Sequence, residues 1–148
     1  MNRIFLRFLG YFIIVFAADQ LIKWLFLQGF RWQSDFIDLV LVYNKGVAFS
    51  MLAFLEGNLK YLQIALIALL AIYLIKQKEL LKSHTAAFGF ILGGGCSNIF
   101  DRFIHPGVVD YIFWHKWFEF AVFNFADIMI NLGVAIILLQ TLIQKKAK

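Results

Sequence analysis

Long apolar stretches run through this chain of 148 residues. Four of them lie roughly at residues 8–27, 59–75, 86–103 and 124–143. Each is long enough to cross a bilayer, because a hydrocarbon core about 30 Å thick takes about 20 residues of helix. Hydrophobic residues make up 62% of the chain and charged residues 16%, whereas a soluble domain has about half and about a quarter. The sequence therefore predicts a membrane protein with four transmembrane helices.

The net charge of +5 comes from lysines and arginines clustered beside these stretches. The clusters precede the first stretch, separate the second from the third and follow the fourth: Arg3 and Arg7; Lys76, Lys78 and Lys82; Lys145, Lys146 and Lys148. Clustered lysine and arginine mark the cytoplasmic side of a membrane protein. We therefore expect both termini in the cytoplasm and residues 28–58 and 104–123 outside, and we expect no nucleic-acid binding.

The first apolar stretch has a second interpretation, since two arginines before an apolar run are also typical of a signal peptide. The run is long, and it contains Asp19 and Lys23. We therefore expect it to be a retained first helix.

The two exterior segments have patterns of their own. Residues 36–43 are β-branched and aromatic, which favours a strand. Trp114 and Trp117 in the second segment are typical of a membrane interface. No repeat or linker divides the chain, so we expect one domain over residues 1–148. The expected fold is all-α: a four-helix transmembrane bundle with a small exterior β-sheet and an exterior loop or helix.

Unusual polar residues recur at a single depth, near the outer ends of the predicted helices. They are Asp19 and Lys23 in the first helix; Asn98, Asp101 and Arg102 in the third; Asn124, Asp127 and Asn131 in the fourth; and Asp110 in the loop before it. Ionisable groups in a membrane are rare and usually functional. Two carboxylates that approach one membrane face, Asp110 and Asp127, suggest a pair that shares one proton and activates water.

Several of these residues also have a simpler structural interpretation. Asp19 and Lys23 are four apart, which favours an ion pair within one helix. Asp101 beside Arg102 is a candidate ion pair at a helix end, and Asn124 is a candidate helix cap. Asn131 is a candidate for a hydrogen bond between helices rather than for a contact to a substrate.

Other catalytic chemistries fit the sequence less well. Cys96 has no neighbouring base, and neither Ser50 nor Ser97 has the surrounding motif of a nucleophilic serine. The three histidines lack metal-binding spacing. Gly93–Gly95 lies within a predicted span and is better explained by close helix packing than by phosphate binding.

Two non-peptidase functions stay open on the residues alone. A small transporter or proton-relay subunit would also carry intramembrane acids, although its polar residues should extend across the whole membrane depth. A non-enzymatic assembly protein would leave Asp110 and Asp127 replaceable.

Four segments in order resemble the motifs of the lipoprotein signal peptidases (signal peptidase II), the aspartyl proteases of bacterial membranes. They are Asp19–Lys23, Asn44–Ser50, Asn98–Arg102 with Gly107–Asp110, and Phe123–Asp127. One departure is Ser97, where the family usually has glycine.

The resemblance implies that Asp110 and Asp127 are the catalytic dyad of an endopeptidase. Its substrate would be a diacylglyceryl-modified prolipoprotein, cut just before the lipidated cysteine, in the bacterial inner membrane near the outer leaflet. The supporting residues would be Asn44, Gly46, Asn98, Asp101, Arg102, Asn124, Ala126, Asp19 and Lys23. We expect no metal or organic cofactor, membrane lipid as surroundings, and a monomer, since four spans can enclose the site without a partner.

Overall fold

A computed structural model describes residues 2–46 and 53–146 of the chain. Its elements are α1 (Asn2–Leu27), β1 (Ile37–Asn44), a 3-10 helix (Ala53–Asn58), α2 (Leu59–Lys76), α3 (Lys78–Ser83), α4 (Thr85–Ile104), β2 (Val108–Trp114) and α5 (Phe125–Lys146). The predicted fold class, a helical membrane bundle with a small sheet, is confirmed. Residues Val47–Ser50 of the second motif, which include the candidate Ser50, and Lys148 lie outside the described residues.

Three helices of the described chain are long and apolar enough to cross a membrane: α1 over Arg3–Leu27, α2 over Leu59–Lys76 and α5 over Phe125–Ile143. These agree with the first, second and fourth predicted spans. The predicted third span forms α4, which has 20 residues and contacts α1, α2 and α5. It is not among the three helices that are apolar enough, so its crossing of the membrane stays a prediction.

The outward faces of the three apolar helices consist of large hydrophobic side chains. Ile14 on α1, Leu69 on α2 and Ile143 on α5 are each about two-thirds exposed, at 67%, 64% and 66%. Lys23 and Asp19 are instead buried inside the bundle, at 1% and 0%. This distribution is the reverse of a soluble protein's, and it suits a helix bundle surrounded by lipid.

Three consecutive glycines let α4 pack closely against its neighbours. A Cβ on Gly93 would lie 2.7 Å from a backbone oxygen of α1, and one on Gly94 would lie 2.7 Å from the backbone oxygen of Ala126 in α5. A Cβ on Gly95 would lie 2.8 Å from a side chain of α2. The close helix packing predicted for these glycines is confirmed, since small residues allow such an approach.

The strands β1 and β2 form a two-stranded antiparallel sheet that packs on the bundle. The strand predicted at residues 36–43 is confirmed as β1. The sequence wrongly placed Asp110 in a loop, because it lies in β2 opposite Val42. The run of β-branched and aromatic residues at 108–114, interrupted only by Asp110, is the signal that would have predicted this second strand.

One aromatic side chain ties β2 to two helices. The ring of Tyr111 stacks on Phe26 of α1, with 4.3 Å between ring centroids. Its hydroxyl accepts a hydrogen bond from the backbone N–H of Phe125, the first residue of α5, at 2.9 Å. The sheet is therefore held against the ends of α1 and α5.

Candidate active site

Behind the candidate site lies an ion cluster of Lys23, Asp19 and Asp101. The Lys23 ammonium lies 2.6 Å from Asp19 Oδ2 and 2.7 Å from Asp101 Oδ2, and no side chain of the three is more than 1% exposed. The ion pair predicted within α1 is therefore confirmed. The pair predicted between Asp101 and Arg102 is wrong, because side chains adjacent on a helix point in different directions.

Each carboxylate of the ion cluster holds the backbone just before one of the two candidate catalytic residues. Asp19 Oδ1 accepts a hydrogen bond from the N–H of Ala126, at 2.9 Å. Asp101 Oδ2 accepts one from the N–H of Val109, at 3.0 Å. The residues that follow these two are Asp127 and Asp110. The cluster therefore fixes the backbone from which both carboxylates project.

Asp127 is positioned by a reciprocal cap at the start of α5. Asn124 Oδ1 accepts from the Asp127 N–H at 2.9 Å, and Asp127 Oδ2 accepts from the Asn124 N–H at 3.1 Å. This is the two-way bonding of a capping box, built here from asparagine and aspartate. The helix cap predicted at Asn124 is confirmed. Tyr111 and Asp19 accept hydrogen bonds from the N–H groups of Phe125 and Ala126. The first three N–H groups of α5, which no helix can satisfy internally, therefore all have partners.

Asp110 projects from β2 into the same polar network. Its Oδ1 accepts from Asn124 Nδ2 at 2.7 Å, and its Oδ2 accepts from Asn44 Nδ2 at 3.0 Å. Burial, followed by the negative charge of Asp127, raises the pKa of Asp110 to about 7. The amide donors and Lys23 act in the opposite direction but do not cancel these effects. The Asp110 carboxyl is therefore suited to hold a proton near neutral pH.

Asn98 of α4 links the ion cluster to both sides of the site. Its Oδ1 accepts from Lys23 Nζ at 2.8 Å and from Asn124 Nδ2 at 3.0 Å. Its Nδ2 donates to Asp127 Oδ1 at 2.9 Å. With its carbonyl oxygen bound to two donors, the amide is fixed in the orientation that offers its N–H to Asp127.

The two aspartates line one cavity of about 360 Å³. Arg102 lines it as well, and its guanidinium donates to the carbonyl oxygens of Asn44, Lys45 and Gly46. The turn that follows β1 is thereby attached to α4. Gly107 brings the other strand against this turn, because a Cβ there would lie 2.6 Å from the Asn44 oxygen.

The predicted site residues converge in two layers. Those that line the cavity are Asn44, Gly46, Asn98, Arg102, Asp110 and Asp127. Those buried behind it are Asp19, Lys23, Asp101, Asn124 and Ala126. Asn131 was predicted to bond between helices, but it lines the cavity and donates to the Asp127 carbonyl oxygen within its own helix.

Sequence reasoning missed two further members of the polar network. Ser97 Oγ donates to Asp19 Oδ2 at 2.6 Å. Gln20 Nε2 donates to Ser97 Oγ and to Asp101 Oδ1, both at 2.8 Å. The position of Gln20, directly after a buried aspartate in an apolar helix, was the available signal. At Ser97 a hydroxyl, where glycine is usual in the similar family, adds a hydrogen bond to the ion cluster.

Comparison with known proteins agrees with this geometry. The family model described as signal peptidase (SPase) II matches residues 11–143. A lipoprotein signal peptidase of Campylobacter jejuni is 61% identical over 141 residues, 95% of this chain and 90% of its own length. One of Helicobacter pylori is 57% identical over 135 residues, 91% of this chain and 86% of its own.

Two solved structures of bacterial membrane enzymes share the fold. The first, determined by the in meso method at 2.3 Å, has a TM-score of 0.79 and 22% identity, covering 95% of this chain and 90% of its own. The second has a TM-score of 0.76 and 21% identity, with coverage of 91% and 92%. The resemblance found in the four motifs is confirmed, and a peptidase is favoured over a transporter or proton-relay subunit. The chain belongs to the signal peptidase II family of membrane peptidases.

Proposed function

We propose that the protein is an aspartyl endopeptidase that removes the signal peptide from diacylglyceryl-modified prolipoproteins, cutting just before the lipidated cysteine. Asp110 and Asp127 form its catalytic dyad. The observation that carries this proposal is that both carboxylates line one cavity, where burial, followed by the charge of Asp127, raises the pKa of Asp110 to about 7. Two carboxyls that share a proton near neutral pH are the machinery of aspartic proteases.

The two aspartates have different roles because their surroundings differ. Asp127 lies in the first turn of α5 and accepts two hydrogen bonds there, one from a backbone N–H. The positive end of a helix dipole favours a negative charge in this position. Asp110 lies on a strand and has a raised pKa. Asp127 is therefore the ionised base, and Asp110 is the acid that carries the shared proton.

The reaction follows from these roles. Asp127 takes a proton from a water molecule, whose oxygen attacks the carbonyl carbon of the scissile peptide bond. Asp110 gives its proton to the carbonyl oxygen, which becomes a hydroxyl of the tetrahedral intermediate. The carbon–nitrogen bond then breaks as Asp127 passes its proton to the leaving amine of the lipidated cysteine. Asp110 recovers its proton from the hydroxyl as the new carboxyl group forms, so the reaction requires no metal or cofactor.

Two residues beside the dyad bind the substrate main chain in this proposal. Arg102 and Asn44 line the cavity, and a peptide that leaves water needs partners for its polar groups. The N–H of Gly46 donates to Asn44 Oδ1 at 3.0 Å, which helps to fix the adjoining turn. The ion cluster, together with Asn98, Asn124 and Ala126, orients the dyad from behind.

The proposed membrane topology places the cavity where a lipid-linked substrate can reach it. In the proposed topology α1, α2, α4 and α5 all cross the bacterial inner membrane, and the basic segments are cytoplasmic. The cavity then lies near the outer leaflet, where acyl chains stay in lipid while the peptide reaches the dyad. One copy of the chain provides all the proposed catalytic groups, so the protein acts as a monomer.

Cleavage of a defined substrate tests the proposal. The purified chain is reconstituted with a diacylglyceryl-modified prolipoprotein, and product is followed for wild type, Asp110→Asn and Asp127→Asn. Each variant should lose cleavage by a factor of at least about 10³, because one carboxyl cannot act as both acid and base. Asp35→Asn is the matched control, since this exposed carboxylate lies outside the cavity.

Three results would contradict this proposal. Cleavage that survives in either dyad variant would refute the assigned pair, and loss of activity in a chelator would indicate a metal mechanism. Equal cleavage of the unlipidated precursor would refute the proposed substrate. For the topology, a periplasmic reporter fused after Lys148 should stay inactive.

A further inference from the structure

Gln63 is a polar residue on the otherwise apolar wall that α2 contributes to the cavity. It lies near the start of α2, and Leu66 and Ile67 of the same helix line the cavity beside it. Its Oε1 atom is buried and has no hydrogen-bond partner among the described residues. A buried acceptor without a donor lowers stability, so this side chain needs an explanation that packing does not provide.

A purely structural role does not account for Gln63. Structural polar residues in this bundle are bonded to other elements, as Gln20 is to Ser97 and Asp101. Gln63 has no such bond in the described part of the chain, although it lies next to a cavity. An acceptor held ready at a cavity wall is suited to a ligand that brings its own donor.

The chemistry of the ligand follows from the type of atom that is free. An acceptor needs an N–H or O–H, and the ester and thioether groups of a diacylglyceryl cysteine have neither. The peptide main chain has one N–H at each residue other than proline. Arg102 Nε is a buried donor at the same cavity, and it also has no partner in the described part. An acceptor and a donor together match the N–H and C=O of a peptide.

We propose that Gln63 is a substrate-binding residue that accepts a hydrogen bond from a main-chain N–H of the prolipoprotein. The inference rests on the proposed function and adds a contact from α2, a helix that carries none of the dyad or its supporting residues. Because it binds backbone, Gln63 holds the peptide in register without selecting side chains.

The test compares Gln63→Met, which keeps length but removes the acceptor, with wild type. Substrates are one diacylglyceryl lipopeptide and a set N-methylated at single peptide bonds near the cut. We expect KM to rise about 3- to 10-fold with kcat nearly unchanged, as for loss of one uniform hydrogen bond. N-methylation at one peptide bond should raise the KM of the wild type by a similar factor. The same N-methylation should not raise the KM of Gln63→Met any further. Unchanged KM, or identical N-methylation penalties in both proteins at every position, would overturn the proposal.

Two controls separate binding from structure. Gln77→Met makes the same change at the exposed end of α2 and should alter neither KM nor the N-methylation pattern. The Tm of Gln63→Met should stay equal to wild type or rise, because no internal bond is lost. A Tm that falls together with the affinity would show a structural role and reject the inference.

A binding measurement distinguishes failure of this inference from failure of the proposed function. Lipopeptide affinity is measured by fluorescence anisotropy for Asp127→Asn with and without Gln63→Met, so that no turnover is needed. Failure of wild type to cleave would refute the proposed function. If Asp127→Asn binds the lipopeptide equally well with and without Gln63→Met, the role of Gln63 is refuted, and the proposed function is not affected.

Discussion

Replacing Lys23 by methionine should destabilise the protein strongly, because this one ammonium neutralises two buried carboxylates. Its Nζ lies 2.6 Å from Asp19 and 2.7 Å from Asp101, and it donates to Asn98 Oδ1 at 2.8 Å. Methionine has similar length and volume, so the core stays filled. The change therefore removes the charge and the three contacts with little effect on packing.

The expected magnitude can be bounded from two sides. Breaking a buried ion pair by removing one partner costs about 3–5 kcal/mol. The protein can limit this loss by taking up a proton, which for an aspartic acid of ordinary acidity costs about 4 kcal/mol at pH 7. For a chain of this size we expect Tm to fall by about 10 °C or more. At pH 5 the proton costs only about 1.5 kcal/mol, so the difference from wild type should shrink.

Thermal unfolding in detergent at pH 5 and pH 7 measures this effect. The matched control is Lys82→Met, because Lys82 lies 3.4 Å from Glu79 in a surface pair whose side chains are 60% and 87% exposed. Such a pair contributes at most about 1 kcal/mol, so Tm should change little. A Lys23→Met protein as stable as the control, or a deficit that grows on acidification, would refute the reasoning.

Three further predictions concern the proposed dyad and the residues packed around it. Since the pKa of Asp110 is raised to about 7, the folded protein holds a proton there that the unfolded chain loses above about pH 4, and stability should fall as pH rises from about 4 to 7. Asp110→Asn should remove this dependence of Tm on pH. For the wild type, kcat/KM should fall above pH 7. Gly94→Ala would place a Cβ only 2.7 Å from the backbone oxygen of Ala126, and the shift this forces should destabilise the protein by about 1–3 kcal/mol. Gly10→Ala, with open space around the added Cβ, should not. Asn124→Ala should lose about 1 kcal/mol of cap energy in chemical denaturation and most of the cleavage activity.

The positions of the helices could be predicted from sequence because hydrophobicity is a local property. The span predicted at residues 59–75 is α2, Leu59–Lys76, and the span predicted at 124–143 begins within one residue of α5. Grouping the polar residues by depth also selected side chains that the structure brings together. Depth depends only on position along a helix of known direction, so it survives errors in the details of packing.

Contacts between elements could not be predicted in the same way. Asp101 was paired with its neighbour Arg102, whereas it binds Lys23 from another helix. Asp110 was assigned to a loop, whereas it lies in a strand that gains its hydrogen bonds from β1, which is far away in sequence. Both errors concern partners that only the folded chain brings near, and neither changed which residues were assigned to the site.

The ion cluster connects the backbone segments that carry Asp110 on β2 and Asp127 on α5, and so helps to hold the two carboxylates at a fixed distance. Asp19 holds the N–H before Asp127, and Asp101 holds the N–H before Asp110. Lys23 binds both of these carboxylates, so a shift of either backbone segment must break its hydrogen bond to a supporting carboxylate or pull that carboxylate from the shared ammonium. Such contacts are strong because their loss leaves a charge unpaired away from water. The proposed proton-sharing pair needs a constant separation, and a single lysine between two supporting aspartates links the backbone segments that carry its two members.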